Sequence, residues 1–177
     1  PLVHAKRVVV QLGCDSDPRF LLAVPNRWPF FRTCWLELAC PSYKGRVLYT
    51  SDVAYVFGDP PPSKPGAHVL PGRVVATQVD KGLTRGNGRN KAFSAADANL
   101  PHPAPRKLQH VKWLVKWYAG ESVLDPFAGS GTTLIAAKHA GISAVGIEIE
   151  ERYCEIAANR LAQGVLPFVE NTTGRFL

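Results

Sequence analysis

The stretch Val123-Leu124-Asp125-Pro126-Phe127-Ala128-Gly129-Ser130-Gly131-Thr132-Thr133 decides how this chain folds. Val123 and Leu124 end a short apolar strand, and Pro126, with no N–H to give a ladder, closes it. Gly129 and Gly131 let the backbone turn tightly and approach a bound molecule with no Cβ in the way. Thr132 and Thr133 open a helix over 132–139, and its first N–H groups have no partner inside the helix. Strand, glycine turn and helix start together make a small-molecule cradle at the carboxyl edge of a parallel sheet.

Charge selects the molecule. A dinucleotide loop brings a diphosphate to the helix start, and Asp125 at the strand end repels it. Leu134 stands where the third glycine of G-x-G-x-x-G belongs, and no lysine follows Gly131 as a phosphate-binding P-loop requires. An aspartate suits a ligand with an ammonium group, such as the methionine end of S-adenosylmethionine, whose carboxylate meets the free N–H groups. A second strand over 143–149 carries Glu148, placed where a ribose hydroxyl pair is read in nucleotide-binding α/β folds. Residues 150–161 then read as a helix with Tyr153, Ile156, Ala157 and Leu161 on one apolar stripe.

Asp125-Pro126-Phe127-Ala128-Gly129-Ser130-Gly131-Thr132 resembles the cofactor motif of DNA methyltransferases that act on exocyclic amino groups (N6 of adenine or N4 of cytosine). Gly146-Ile147-Glu148, then Tyr153, Ala157, Arg160 and Leu161, resembles the next motif of that family and its following helix. Upstream, His102-Pro103-Ala104-Pro105-Arg106-Lys107 is similar to the H-P-x-x-K-P segment preceding the cofactor loop in one circular arrangement of the family. Arg106 stands at the family's lysine and Lys107 at its second proline, so charge is kept and the backbone constraint is lost. The resemblance covers 102–162 strongly and 1–60 weakly. It implies an S-adenosylmethionine-dependent methyltransferase (Rossmann-like) α/β fold, a mixed sheet with helices on both faces, incomplete in this chain. It also implies that Asp125, Pro126, Phe127, Gly129, Gly131, Thr132 and Glu148 hold the cofactor while His102 and Arg106 close the pocket.

The 177 residues support one domain with a real core, and 46% hydrophobic with 20% charged content is ordinary for a globular protein. The net charge of +7 favours a polyanionic partner, here double-stranded DNA. Cys14, Cys34, Cys40 and Cys154 lack C-x-x-C spacing and read as reduced thiols of a cytoplasmic protein. No metal-ligand spacing is present. The chain has no methionine and opens at Pro1, which reads as a segment of a longer product.

In chain order, 6–13 is a β-strand by its β-branched run, and 18–25 is compatible with a short helix. A hairpin is expected from 30–39 and 52–57 with its turn at 41–45, its dense aromatics packing the sheet. A proline-rich break follows over 59–66. Residues 73–99 are basic and glycine-rich and read as a mobile loop, with Lys81, Arg85, Arg89 and Lys91 suited to tracking phosphates. Residues 108–118 form an amphipathic helix, Trp113 and Trp117 packing rather than touching ligand. Three parts result: 1–65 with the last strands of the catalytic half, 66–101 with a basic target-recognition loop, and 102–177 with the cofactor half.

Methyl transfer to a base amine also needs a polar clamp and a stacking aromatic, on a base taken out of the duplex. The family supplies them with [DNS]-P-P-[YFW] after a strand. Asp59-Pro60-Pro61-Pro62 looks like it superficially, but Pro62 replaces the aromatic, and too few residues separate Asp59 from His102. The catalytic motif is therefore expected outside this chain. The strand bearing it is missing from mid-sheet, and a second chain or a repeat of this one is expected to fill that place. A catalytically incompetent DNA-binding module, an RNA or protein methyltransferase and a nucleotide-dependent oxidoreductase remain rivals.

Overall fold

The computed structural model describes residues 4–63, 66, 69–76 and 106–162. Its first half is an antiparallel frame. Strand β1, Arg7–Gly13, is followed by a 3₁₀ turn, Pro18–Ala23, which Asp17 caps by accepting from the Arg19 N–H. Strands β2, Phe30–Lys44, and β3, Val47–Gly58, form a long hairpin, and β4, Arg73–Val75, adds to it. The order is β1-β3-β2-β4, antiparallel except for β2 with β4.

The hairpin runs further than the sequence implies. Pro41 does not end β2; it sits between Glu37, opposite Ser51, and Ser42, opposite Tyr49. Three extra residues of β2 are absorbed there as an irregular bulge, where a proline's missing donor costs nothing. The reversal is instead the two-residue Gly45-Arg46 turn between Lys44 and Val47, with Gly45 at φ +61°, the left-handed backbone such turns demand. Arg73–Val75, expected as part of a loop, is strand β4. Lys81, Arg85, Arg89, Lys91 and His102 lie outside the described residues.

Helix α1, Leu108–Tyr118, joins the two halves. One side presents Leu114 and Tyr118 to Cys34, Leu36, Ala54 and Val56 of the sheet, with Trp113 and Trp117 at the rim of that cluster. The other side presents Val111 and Val115 to Ala136 of α2, Thr132–His139. Helix spacing of apolar residues on two stripes thus meets a strand face of period two. Inside this core the Tyr118 hydroxyl and the Cys34 thiol lie 3.0 Å apart in a hydrogen bond. Burial pushes the Tyr118 phenol well above its ordinary pKa.

The second half is a parallel pair, β5, Ser122–Asp125, and β6, Ser143–Gly146, with α2 between them in sequence and α3, Glu151–Ala162, after them. Two contacts fix the direction of α1 relative to the frame. Arg106, just before α1, donates to Gln11 O late in β1 at 3.2 Å, while Arg7 Nε at the start of β1 donates to Tyr118 O at 2.9 Å. So α1 runs against β1. Within the four-stranded sheet β3 alone opposes the direction of β1, β2 and β4.

The two sheets do not join among the described residues. Lys6 O accepts from Asp59 N, so alternation assigns the backbone groups of Val8, Val10 and Leu12 to β3 and turns those of Arg7, Val9 and Gln11 outward. Among the described residues β1 and β5 thus each carry an unpaired edge. Leu36 is wholly buried, so Leu36→Ala is expected to cost about 2–5 kcal/mol. Tyr118→Phe, which forfeits one hydrogen bond, should cost only about 1 kcal/mol. Urea unfolding checks that ordering; a larger loss in Tyr118→Phe would contradict it.

Candidate functional site

Both carboxyl ends of the parallel pair carry an acid. Asp125 ends β5, and Glu148 follows β6 by two residues. The backbone keeps them in register after the strands stop, because Ile147 N donates to Asp125 O at 2.8 Å and Ala128 N donates to Ile147 O at 2.9 Å. Asp125 Oδ1 accepts from Phe127 N at 3.0 Å, turning the chain sharply around Pro126. Glu148 Oε2 accepts from Gly129 N at 2.7 Å, and its Oε1 accepts from Ile149 N and Glu150 N at 3.0 Å each. Two carboxylates therefore hold one glycine turn.

The turn needs its glycines. Gly129 and Gly131 sit at φ +50° and +81°. A Cβ on Gly131 would lie 2.8 Å from Ala157 Cβ, so α3 packs directly against the turn. Gly131 is also the N-cap of α2 and offers no side chain to its N–H groups. Those donors face the turn beside buried Thr132, an electropositive end on the same mouth as the two acids. Phe127 stands out at 87% exposed, with Ile147 and Ile149 also exposed nearby in sequence. An aromatic ring left in water at the rim of a polar turn offers a flat apolar ligand a face.

Arg160, on the inward stripe of α3, donates to Ser130 O and, at 3.0 Å, to Ser130 Oγ. Burial lowers its pKa from the ordinary guanidinium value. The spacing Tyr153, Ala157, Arg160 places it on the buried side, the one signal in the sequence for this contact. Lys138 at the end of α2 donates to Leu161 O, tying the same two helices.

Other expected site residues lie elsewhere. Arg106 is held at the edge of β1, by Gln11 O and, at 3.5 Å, by the Asp52 carboxylate. Asp59, Pro60 and Pro61 follow β3, the strand that runs the opposite way. Asp59 N meets Lys6 O and Arg7 Nη1 reaches Asp59 O, so this segment sits at the amino end of β1. Asp125 and Glu148 stand at the carboxyl end. Among the described residues no group of His, Cys, Asp or Glu is placed to hold a metal, and no helix is long and apolar enough to cross a membrane.

Parallel strands, a glycine turn leading into a helix, and an acid at the end of each strand define the Rossmann-like fold of S-adenosylmethionine-dependent methyltransferases. Solved structures share it. The chain superposes on PvuII DNA methyltransferase (cytosine-N4-specific) with a TM-score of 0.60 at 16% identity, covering 90% of this chain and 65% of that one. It superposes on M1.HpyAVI complexed with SAM with a TM-score of 0.56 at 21% identity, covering 80% and 65%. The DNA methylase family model for N6/N4 methyltransferases matches residues 46–159, and the chain belongs to that family. Curated relatives include the type II methyltransferase M.HpaI of Haemophilus parainfluenzae, 43% identical over 34% of this chain and 20% of that protein. Another is M2.DpnII of Streptococcus pneumoniae, 50% identical over 24% of this chain and 16% of that protein. The chain thus matches a fifth or less of either relative.

Two of the left-handed glycines permit a comparison. Gly45, at φ +61°, has nothing within 4 Å of a built Cβ, whereas Gly131 meets Ala157. Gly45→Ala should cost about 1–2 kcal/mol for backbone conformation alone. Gly131→Ala should cost clearly more in the same urea titration, and equal losses would show that α3 does not press on the turn.

Proposed function

We propose that this chain is the cofactor half of a methyltransferase that moves a methyl group from S-adenosylmethionine to an exocyclic amine of DNA, N6 of adenine or N4 of cytosine. The observation that carries this is the pair Asp125 and Glu148 closing on one glycine turn. Together they place negative charge at a mouth where a diphosphate would be repelled and an ammonium and a ribose welcomed. Asp125 holds the ligand's ammonium and Glu148 its ribose hydroxyls. The turn at Gly129 and Gly131 and the uncapped start of α2 at Thr132 receive its carboxylate. Pro126 shapes the turn, and Phe127 lies along the adenosine.

When bound, the donor supplies an electrophilic methyl on a sulfonium. The protein's part is to orient and desolvate: the reacting amine must arrive in line with the carbon–sulfur bond, and proximity is the main source of rate. The amine clamp is assigned to a strand outside residues 1–177. What supports this is that β1 and β5 each keep an unpaired edge among the described residues. The clamp comes from the rest of the same polypeptide, a second chain or a repeat. We do not assign that role to Asp59, which lies beside Lys6 and Arg7 at the amino end of β1.

DNA is assigned to the carboxyl edge. The chain leaves β4 at Ala76 and re-enters at Arg106 beside Gln11, both at that edge. We assign phosphate contacts to the basic residues Lys81, Arg85, Arg89 and Lys91 on their charge, with His102 assigned to the cofactor pocket.

Calorimetry with S-adenosylmethionine tests the cradle. Asp125→Ala should weaken binding about tenfold or more, as loss of a charge-assisted contact does. Unchanged affinity in Asp125→Ala, or no binding by the unaltered protein, would overturn the reading. Methyl transfer to duplex DNA by the full-length protein separates an enzyme from a binding module that only retains the fold.

A further inference from the structure

Helix α3 touches the glycine turn at two points of different kind. At Gly131 the contact is shape, because Ala157 occupies the space a Cβ would take. At Ser130 it is charge: Arg160 reaches back from the last turn of α3 to both the carbonyl and the hydroxyl of that residue. Ser130 is 4% exposed and lies between two left-handed glycines. Glycine gives up more conformational freedom on ordering than any other residue, so the single Gly131 N to Ala128 O bond across the turn, at 2.8 Å, is supplemented by contacts from outside. Glu148 holds it on one side through Gly129 N. Arg160 holds the next residue.

A guanidinium is a costly way to hold neutral oxygens. It is partly removed from water, and among the described residues no carboxylate pairs with it. Packing alone would be served by an aliphatic side chain of the same length. A cation becomes favourable where it faces negative charge across the turn, and the cradle concentrates such charge: Asp125, Glu148 and the carboxylate of an amino-acid ligand.

We propose that Arg160 is a positioning residue for the amino-acid end of the methyl donor, acting through Ser130 to fix the Gly129–Gly131 backbone from behind. The inference rests on the reading of the turn as an S-adenosylmethionine cradle. Arg160 touches no ligand; it sets the direction of the backbone groups that do, and its charge offsets the acids in front. The half of the ligand that depends on it is the methionine moiety, not the nucleoside.

The test compares two ligands on the same protein, S-adenosylmethionine and methylthioadenosine, the related nucleoside thioether without the amino-acid end. Arg160→Met keeps the aliphatic stem and removes the fork. It should weaken S-adenosylmethionine about tenfold or more and leave methylthioadenosine within about twofold, since two charge-assisted hydrogen bonds are lost. Arg160→Lys should recover part of the loss. Ser130→Ala should weaken the donor in the parent protein and add nothing in Arg160→Met, as a shared contact requires. If Arg160→Met fails to fold, Arg160→Lys and Ser130→Ala carry the same comparison. Equal losses for both ligands, or no loss for either, overturn the proposal. An unaltered protein that binds methylthioadenosine but not S-adenosylmethionine overturns the cradle reading, and this inference with it.

Discussion

Glu148 accepts from Gly129 N with one oxygen and from Ile149 N and Glu150 N with the other, while Asp125 accepts from Phe127 N. Every other feature of the site follows from this carboxylate-to-backbone bonding. It stops β5 and β6 at the same level, bends the chain at Pro126, and aims the start of α2 across the mouth. It also concentrates negative charge beside a helix start that ordinarily attracts anions. On the proposed reading, the two tendencies together suit a zwitterion joined to a sugar better than a nucleoside diphosphate.

The same constraint orders the helices. α2 begins where the turn ends, its buried Ala136 packs against Val111 and Val115 of α1, and α1 in turn packs on the four-stranded sheet. α1 is thus the joint between two sheets that do not otherwise meet, and Arg7 and Arg106 tie its two ends to β1. Parallel strands are stable when covered and paired on both sides. Among the described residues β5 pairs with β6 and β1 with β3, and Leu124 and Val145 remain exposed at 42% and 61%.

Much of this is legible in the residues. The bounds of α1 and α2 follow from apolar spacing with Gly120 after the first and the threonines opening the second, because both signals are local. The turn is legible because glycine, proline and aspartate each have few backbone alternatives. Legibility fails where a neighbour decides. Pro41 reads as a turn residue, yet the partner β3 absorbs it as a bulge and moves the reversal to Gly45. Arg73–Val75 reads as loop because three residues carry no periodicity; only pairing with Trp35, Leu36 and Glu37 makes them a strand. Asp59 illustrates the limit most clearly. Its motif is local, but its end of the sheet is set by strand direction, which no short stretch encodes.

The central claim is that the turn selects a zwitterionic nucleoside by charge. The most direct measurement is a titration of the backbone amide resonances of Phe127, Gly129, Gly131 and Thr132 with S-adenosylhomocysteine and, separately, with a nicotinamide dinucleotide. Saturable shifts at these four amides with the thioether, and none with the dinucleotide, are the expected result. Saturation by the dinucleotide at the same amides would contradict it.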